Sequence, residues 1–389
     1  MIIICDPVCH VGEHVPFNAG MIEIVKSAFP NERVFFLGEQ SHILELKKQV
    51  APSTDDFVSW IAISIPDRHA RYSKRLFREI EIVWRRIRPL CHGGNGIIVF
   101  TALQPSTLVA LKLLSRFISN GMALQAVLHG LGDISGRRSR HPFRRLQDIR
   151  SAVTLPCSRS IQYIALEIDV KEAILSKIPF LNQSLEVLEH PIPPNEEMLH
   201  SIELNLPVKF GFLGRVQEVR GFPVFLNLAS EMVKEYQDRV EFHVVGRCTE
   251  KNFSYTTDAL ATKPSSERLE RHKFIEMAKK LHFIIFPLSP QFYQLTASGS
   301  LMDAVAWEKP IIAGNIPMLT RLFRNYGDIG YMFNDELELH QIVKHIVEKC
   351  DNRHYKLQIN NMKKVREGRS ANVLGKAYRE MCARMPPKL

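Results

Sequence analysis

Apolar runs rich in Ile, Val and Phe alternate along this chain with amphipathic stretches, the pattern of parallel strands joined by crossover helices. In the first half the runs fall at Ile2–Asp6, Val34–Glu39, Val58–Ile65, Ile97–Leu103, Leu124–His129, Ser151–Leu155 and Ile161–Leu166. Helical spacing separates several of them, notably over Tyr72–Arg86 and Ser106–Ile118. The second half repeats the rhythm with strand candidates at Lys209–Leu213, Glu241–Val245, Phe283–Phe286, Pro310–Ala313 and Ile329–Phe333. Its helix candidates are Pro223–Glu235, Glu267–Lys279, Ser300–Trp307 and Met318–Arg324. Between the halves, Glu189-His190-Pro191-Ile192-Pro193-Pro194-Asn195 sets three prolines in four positions, which suits an extended linker. The pattern predicts an α/β protein of two doubly wound parallel-sheet domains. Their expected spans are residues 1–190 and 206–365, with a linker over 191–205, facing a cleft at the carboxyl ends of both sheets.

The length of 389 residues agrees, because it exceeds what one hydrophobic core usually serves. No run approaches the roughly 18–20 apolar residues needed to span a bilayer, and Met1–Asp6 reads as a buried first strand rather than a leader. A cytoplasmic protein is expected. The seven cysteines are scattered. The one cluster, Cys5-x3-Cys9-His10, lacks a matching second half, so reduced thiols and no bound metal are the expectation.

The net charge of +10 is local. Residues 68–89 carry eight Arg or Lys against Glu79 and Glu81, and residues 137–150 carry six Arg against Asp148. The two segments together hold +11, so the remainder is close to neutral. Over Tyr72–Arg88, Leu76, Ile80, Val83, Trp84 and Ile87 recur at helical spacing with arginines between. Such a surface suits an anionic membrane face as a peripheral docking site. Nucleic acid is not expected as a partner, since no recognised motif accompanies the charge.

Chemistry concentrates in the second half. A strand ends in Gly214-Arg215, and Arg220-Gly221 follows five residues on, just before a helix. That spacing sets two guanidinium groups and backbone amides at a strand's carboxyl end, a cradle for a diphosphate. After Phe286-Pro287 comes Tyr293-x4-Ser298-Gly299-Ser300, with Ser298-Gly299-Ser300 opening a helix whose free amides suit phosphate oxygens. Asp303 sits one turn into it.

In this order the motifs resemble glycosyltransferase family 4 and its relatives of GT-B architecture, two Rossmann-like domains. The likeness runs through Gly214-Arg215, Arg220-Gly221, Val245-Gly246, Phe286-Pro287, Gly299 to Asp303, and Lys309-Pro310-Ile311-Ile312, about 100 residues of the second domain. It implies a nucleotide-diphosphate sugar, UDP- or GDP-linked, as donor substrate, with no separate cofactor. Arg215 and Arg220 neutralise the diphosphate; Gly214, Tyr293, Ser298, Gly299 and Ser300 line the donor; Asp303 holds the ribose. Leu295, eight residues before Asp303, stands where the family has an acidic residue facing the transferred sugar, which marks a divergent branch. The resemblance further implies retention of anomeric configuration, hexosyl transfer, and a role in cell-surface polysaccharide synthesis. It also implies that residues 366–389 form a final helix crossing back to the first domain.

The first domain matches less closely. Gly12, Glu13, His14 and Asn18 follow the first strand, where such enzymes bind the acceptor, here a saccharide or lipid-linked saccharide. His129-Gly130 closes another strand, and many relatives carry a histidine there near the reacting centre. None of the thirteen aspartates lies two residues from another, so the metal-holding Asp-x-Asp triplet of the other large glycosyltransferase architecture is missing. Arginines and helix amides then do the metal's electrostatic work. The rival readings are a nucleotide-sugar-binding protein or an epimerase of the same fold without transferase activity.

Overall fold

The computed structural model describes the chain apart from residues 68, 93, 130–140, 142–144, 195–201, 249–254, 289–294, 296 and 385–389. It divides into two units. The first comprises Met1–Asn195, Leu295–Ala297 and Arg369–Leu389; the second comprises Glu196–Gln294 and Ser298–Gly368.

The first unit is built on β1 (Ile2–Cys5), β2 (Val34–Gly38), β3 (Val58–Ala62), β4 (Gly96–Phe100), β5 (Met122–Val127), β6 (Ile161–Ala165) and β7 (Leu185–Val187). They form one sheet in the order β3-β2-β1-β4-β5-β6-β7. Every pairing is parallel, with Ile4 opposite Phe36 on one side and Val99 on the other. Because successive side chains alternate between faces, Ile2 and Ile4 enter one hydrophobic cluster while Ile3 and Cys5 enter another. Helices cover both faces, which is why these strands read as continuous apolar runs rather than alternating ones.

The second unit holds β8 (Val208–Val216), β9 (Val240–Cys248), β10 (Phe283–Phe286), β11 (Ile311–Gly314) and β12 (Gly330–Phe333), in the order β12-β11-β10-β8-β9. All of its pairings are parallel too. In both sheets the order reverses once: between β1 and β4 in the first unit, and between β8 and β10 in the second. In doubly wound sheets, ligands bind outside the strands' carboxyl ends at that reversal.

Two sequence expectations need correction. Residues 151–155, expected as a strand, lie largely in the helix Ile149–Thr154. Ile149, Ala152 and Val153 are buried at helical spacing, and the Asp148 side chain caps the helix by accepting from Arg150 N. A short apolar run cannot distinguish the two periods, and here the cap decides. β7 was not anticipated, because three residues carry too little pattern. The helix expected over Tyr72–Arg86 is α-helical over Tyr72–Ile82 and turns to π over Val83–Ile87.

The final helix, Ala371–Ala383, belongs to the first unit and packs on the helix Val15–Ala28. Gly375 permits the close approach, since a Cβ there would lie 2.7 Å from Ser27 Oγ. Tyr378 donates to Gln125 Oε1 at 2.6 Å, and Arg379 Nε donates to Ala28 O at 2.6 Å. Just before this helix, Arg369 forms a buried bidentate pair with Glu167 (2.7 and 3.1 Å) and donates to His190 O at 3.1 Å. Among the described residues no helix is long and apolar enough to cross a membrane.

Candidate functional site

In the second unit β8 delivers Gly214 and Arg215 to its carboxyl end. Gly214 adopts φ +95°, and a Cβ there would sit 2.6 Å from Ser300 Oγ and 3.4 Å from Arg220 Nη1. Glycine is required on both counts, conformation and space. Gly221 closes the turn at φ +75°, where a Cβ would lie 1.7 Å from Pro287 O. The turn after β8 is thereby pressed against the end of β10, and Arg220, Pro287, Ser298 and Ser300 come to line one small pocket with Leu213. Arg220 Nε is buried there with no hydrogen-bond partner among the described residues. Arg215 is half-buried beside it in β8.

Ser298 caps the helix Gly299–Ala306, its hydroxyl accepting from Leu301 N at 3.3 Å. Nothing approaches within 4 Å of where a Gly299 Cβ would be, so the first turn faces open space. The Ser298 cap takes up Leu301 N and leaves the Gly299 and Ser300 amides, with the positive end of the helix dipole, to an anion. Asp303 is 8% exposed and has a partner that the sequence did not suggest. Arg271 Nη2 donates to Asp303 Oδ1 at 2.6 Å, and its guanidinium lies over the Trp307 and Phe274 rings at 5.2 and 5.5 Å. Burial pushes the Asp303 carboxyl up, and Arg271 pulls against it. Lys309 is structural: its ammonium donates to Lys279 O and Leu281 O, and burial lowers it to about 8. Tyr293 lies outside the described residues. Leu295 is 2% exposed within the first unit's core.

The first-unit candidates gather after β1. Asp6 anchors this loop, accepting from Val8 N, Cys9 N and Asn18 Nδ2 at 3.1, 2.9 and 2.7 Å. Burial pushes Asp6 up, but His42, His14 and these bonds outweigh it, and the carboxyl lies below its usual range. Asn18 is fully buried, its amide nitrogen also 2.9 Å from His42 Nε2 and its Oδ1 without a partner among the described residues. It braces the loop from inside. Gly12 is buried and Glu13 half-buried. His14 is exposed at φ +53°, a left-handed conformation uncommon for a non-glycine residue.

The His14 ring lies 4.7 Å from that of His129, which in turn contacts Phe17 at 4.2 Å and His190 at 6.1 Å. Burial, then His14 and His190, hold His129 well below its ordinary value, and its Nε2 has no partner among the described residues. The structure thus joins His14 to His129. It adds His42 and His190, which sequence spacing could not flag. Asp6, Cys9 and His14 also place one ligand atom each within 4.8 Å of the others. The Asp6 oxygens already accept three N–H bonds, two at Oδ1 and one at Oδ2.

Burial lowers His190 to about 3, while its Nδ1–H donates to Pro191 O at 2.7 Å. The unfolded chain binds a proton at this residue below about pH 6.5, and the folded chain does not until near pH 3. Stability should therefore fall as pH drops through that window. Urea midpoints measured from pH 7 to 4 should show the decline, and His190→Asn should make it shallower, with buried His129 contributing to the remainder; an unchanged slope would remove His190 as a source.

No protein-family model and no curated protein sequence matches this chain. Solved structures do. A glycosyltransferase from Rickettsia africae aligns at a TM-score of 0.66 with 14% identity, covering 98% of this chain and 97% of its own. Anabaena HepE in complex with UDP-glucose aligns at 0.63 with 12% identity, covering 99% of each chain. WaaG, a glycosyltransferase involved in lipopolysaccharide biosynthesis, aligns at 0.62 with 10% identity, covering 99% of this chain and 100% of its own. The chain has the GT-B fold of these glycosyltransferase structures.

Proposed function

We propose that this protein is a glycosyltransferase that moves a hexosyl group from a nucleotide-diphosphate sugar to a saccharide or lipid-linked saccharide, with retention of configuration, in cell-surface polysaccharide synthesis. The observation that carries the reading is Arg220. Its guanidinium, whose Nε is buried without a partner among the described residues, sits with Nη1 beside Gly214 and Ser300 at the reversal point of the second sheet. Arg220, Arg215 and the first-turn amides at Gly299 and Ser300 neutralise the diphosphate as it leaves, a task donors fixed in advance perform without reorganisation. His14 and His129 line the acceptor side with Glu13 and Gly12. UDP-glucose in the Anabaena HepE structure supports a uridine donor, with GDP as the other candidate.

Melting curves with UDP, GDP and their sugars test donor binding, since a ligand of the folded state raises the melting temperature by mass action. No shift with any of them would overturn the proposal. Asp303, whose Oδ1 accepts from Arg271, also takes a ribose hydroxyl. The 2′-deoxy form of the preferred nucleotide should therefore bind roughly fivefold more weakly, about 1 kcal/mol for a bond to a carboxylate already shared. Transfer should persist in excess chelator; strict dependence on magnesium or manganese would refute the arginine mechanism. Nucleotide binding without release from any sugar donor would favour the noncatalytic reading, to which Leu295 lends weight.

Membrane docking belongs to the same proposal. Phe77, Trp84 and Phe117 are exposed, with the Trp84 and Phe117 rings 5.3 Å apart. Arg88 lies over Trp84 and Arg116 over Phe117. Four of the six arginines in the second basic run, Arg137–Arg150, fall outside the described residues. Each basic residue near an anionic surface contributes about 1 kcal/mol. Cosedimentation should require anionic lipid, weaken in high salt, and fall when Arg85, Arg86, Arg144 and Arg145 become Glu. Indifference to anionic vesicles at low salt would leave a soluble acceptor steered by the same charges.

A further inference from the structure

The reversal point of the first sheet carries a cluster that the donor and acceptor assignments leave unused. Glu79, on the helix Tyr72–Ile82, is 2% exposed. Its Oε1 accepts from Thr107 Oγ1 at 2.8 Å, in the first turn of the helix Pro105–Leu114. That hydroxyl in turn accepts from Gln104 N at 3.2 Å, so the carboxyl is fixed. Its Oε2 is buried with no partner among the described residues. The same holds for the Tyr72 hydroxyl, seven residues earlier on the same helix face, and for Thr101 Oγ1, which follows the end of β4. Thr101 is pinned by its backbone N–H to Cys5 O at 3.0 Å, and Cys5, the last residue of β1, lies close enough to feel the Glu79 charge.

An unsatisfied buried oxygen costs about 1–3 kcal/mol, and native proteins carry few. Tyr72 and Cys5 both feel the Glu79 charge and Thr101 is bonded to Cys5, so the three oxygens lie near the strand ends where sheet order reverses, the place where doubly wound sheets bind ligands. We propose that Tyr72, Glu79 and Thr101 form a subsite for an uncharged, hydroxyl-bearing group and, on the reading above, hold hydroxyls of the saccharide acceptor.

The chemistry selects that class. Tyrosine and threonine hydroxyls both donate and accept, as sugar hydroxyls do. Burial pushes Glu79 up to about 7, against the nearby Ser106 and Thr107 hydroxyls and the Arg75 charge, so the carboxyl also donates near neutrality. Burial and Glu79 push Tyr72 up to about 12, which keeps it protonated. An anionic group would meet the ionised fraction of Glu79 at close range in a low dielectric and be disfavoured. Arg75 offsets part of that repulsion, its guanidinium donating to Gln104 Oε1 at 2.6 Å.

The test uses the full chain and a panel of methyl glycosides of common hexoses, followed by saturation-transfer NMR. At least one should bind the wild type, and inorganic phosphate should not compete. Tyr72→Phe, Thr101→Val and Glu79→Ala should each weaken that binding about fivefold or more, while Glu79→Gln, which still donates and accepts, should retain most of it. Nucleotide affinity, measured by calorimetry, should be the same in all four variants. Because Tyr72→Phe and Thr101→Val each remove an unsatisfied oxygen, their melting temperatures should hold or rise. A lower melting temperature with unchanged glycoside binding would mean that the three oxygens share a structural water, and would overturn the proposal. So would failure of every glycoside to bind a protein that binds nucleotide. If nucleotide fails to bind while the glycoside pattern holds, the donor reading falls and the subsite stands.

Discussion

Replacing Arg369 by methionine is expected to destabilise the first unit by about 3–5 kcal/mol, the range for removing one partner of a buried ion pair. Arg369 is 1% exposed and Glu167 3%. Their bidentate contact is reinforced from both sides, because Arg369 also donates to His190 O and Glu167 also accepts from His190 N at 3.3 Å. Methionine fills much of the volume but leaves the Glu167 carboxylate buried without its cation and the His190 carbonyl without a donor. The pair's net worth is a separate question, since burying two charges costs nearly what their attraction returns. The double variant Arg369→Met, Glu167→Gln should therefore recover part of the loss. Urea denaturation followed by circular dichroism gives both quantities, and a double-mutant cycle isolates the coupling. A single variant less than 1 kcal/mol below wild type would mean that water reaches the carboxylate and that the pair is not needed to hold this part of the first unit together.

The strands were legible because both faces of each sheet are covered, so β1, β4, β8 and β10 appear as unbroken apolar runs that no surface element imitates. The cradle at Gly214, Arg220 and Ser298–Ser300 was legible for a related reason. Its glycines are fixed by backbone geometry and its arginines by their distance from a strand end, and both are local in sequence. What could not be read was contact between distant segments. Arg271 reaches Asp303 across 32 positions, and Arg369 reaches Glu167 across 202. Nothing local to either arginine marks its partner. Glu79 shows the same limit from the other side: its charge was counted against the basic residues of 68–89, whereas it is buried on the helix Tyr72–Ile82 and bonded to Thr107. Ile149–Thr154 failed differently, through a run too short for its period to show.

The second large effect is expected at Arg220. Its Nε makes no hydrogen bond among the described residues, so Arg220→Ala removes no protein contact at that atom, and the melting temperature of the free protein should hold within a degree or two. Nucleotide binding should respond instead. A charge-assisted bond to phosphate is worth about 1.5–3 kcal/mol, which corresponds to a roughly 10- to 100-fold rise in Kd for whichever of UDP and GDP binds more tightly. The matching nucleoside, which has no phosphate, should bind the variant as well as the wild type, so the preference for diphosphate over nucleoside should collapse. Arg220→Lys should recover only part of it, since an ammonium supplies the charge without the planar fork. Arg215→Ala should behave similarly if its guanidinium shares the diphosphate. If Arg220→Ala instead weakens nucleoside and diphosphate equally, or leaves both unchanged, the diphosphate does not lie between Gly214 and Ser300. The glycosyltransferase proposal would then lose the observation on which it rests.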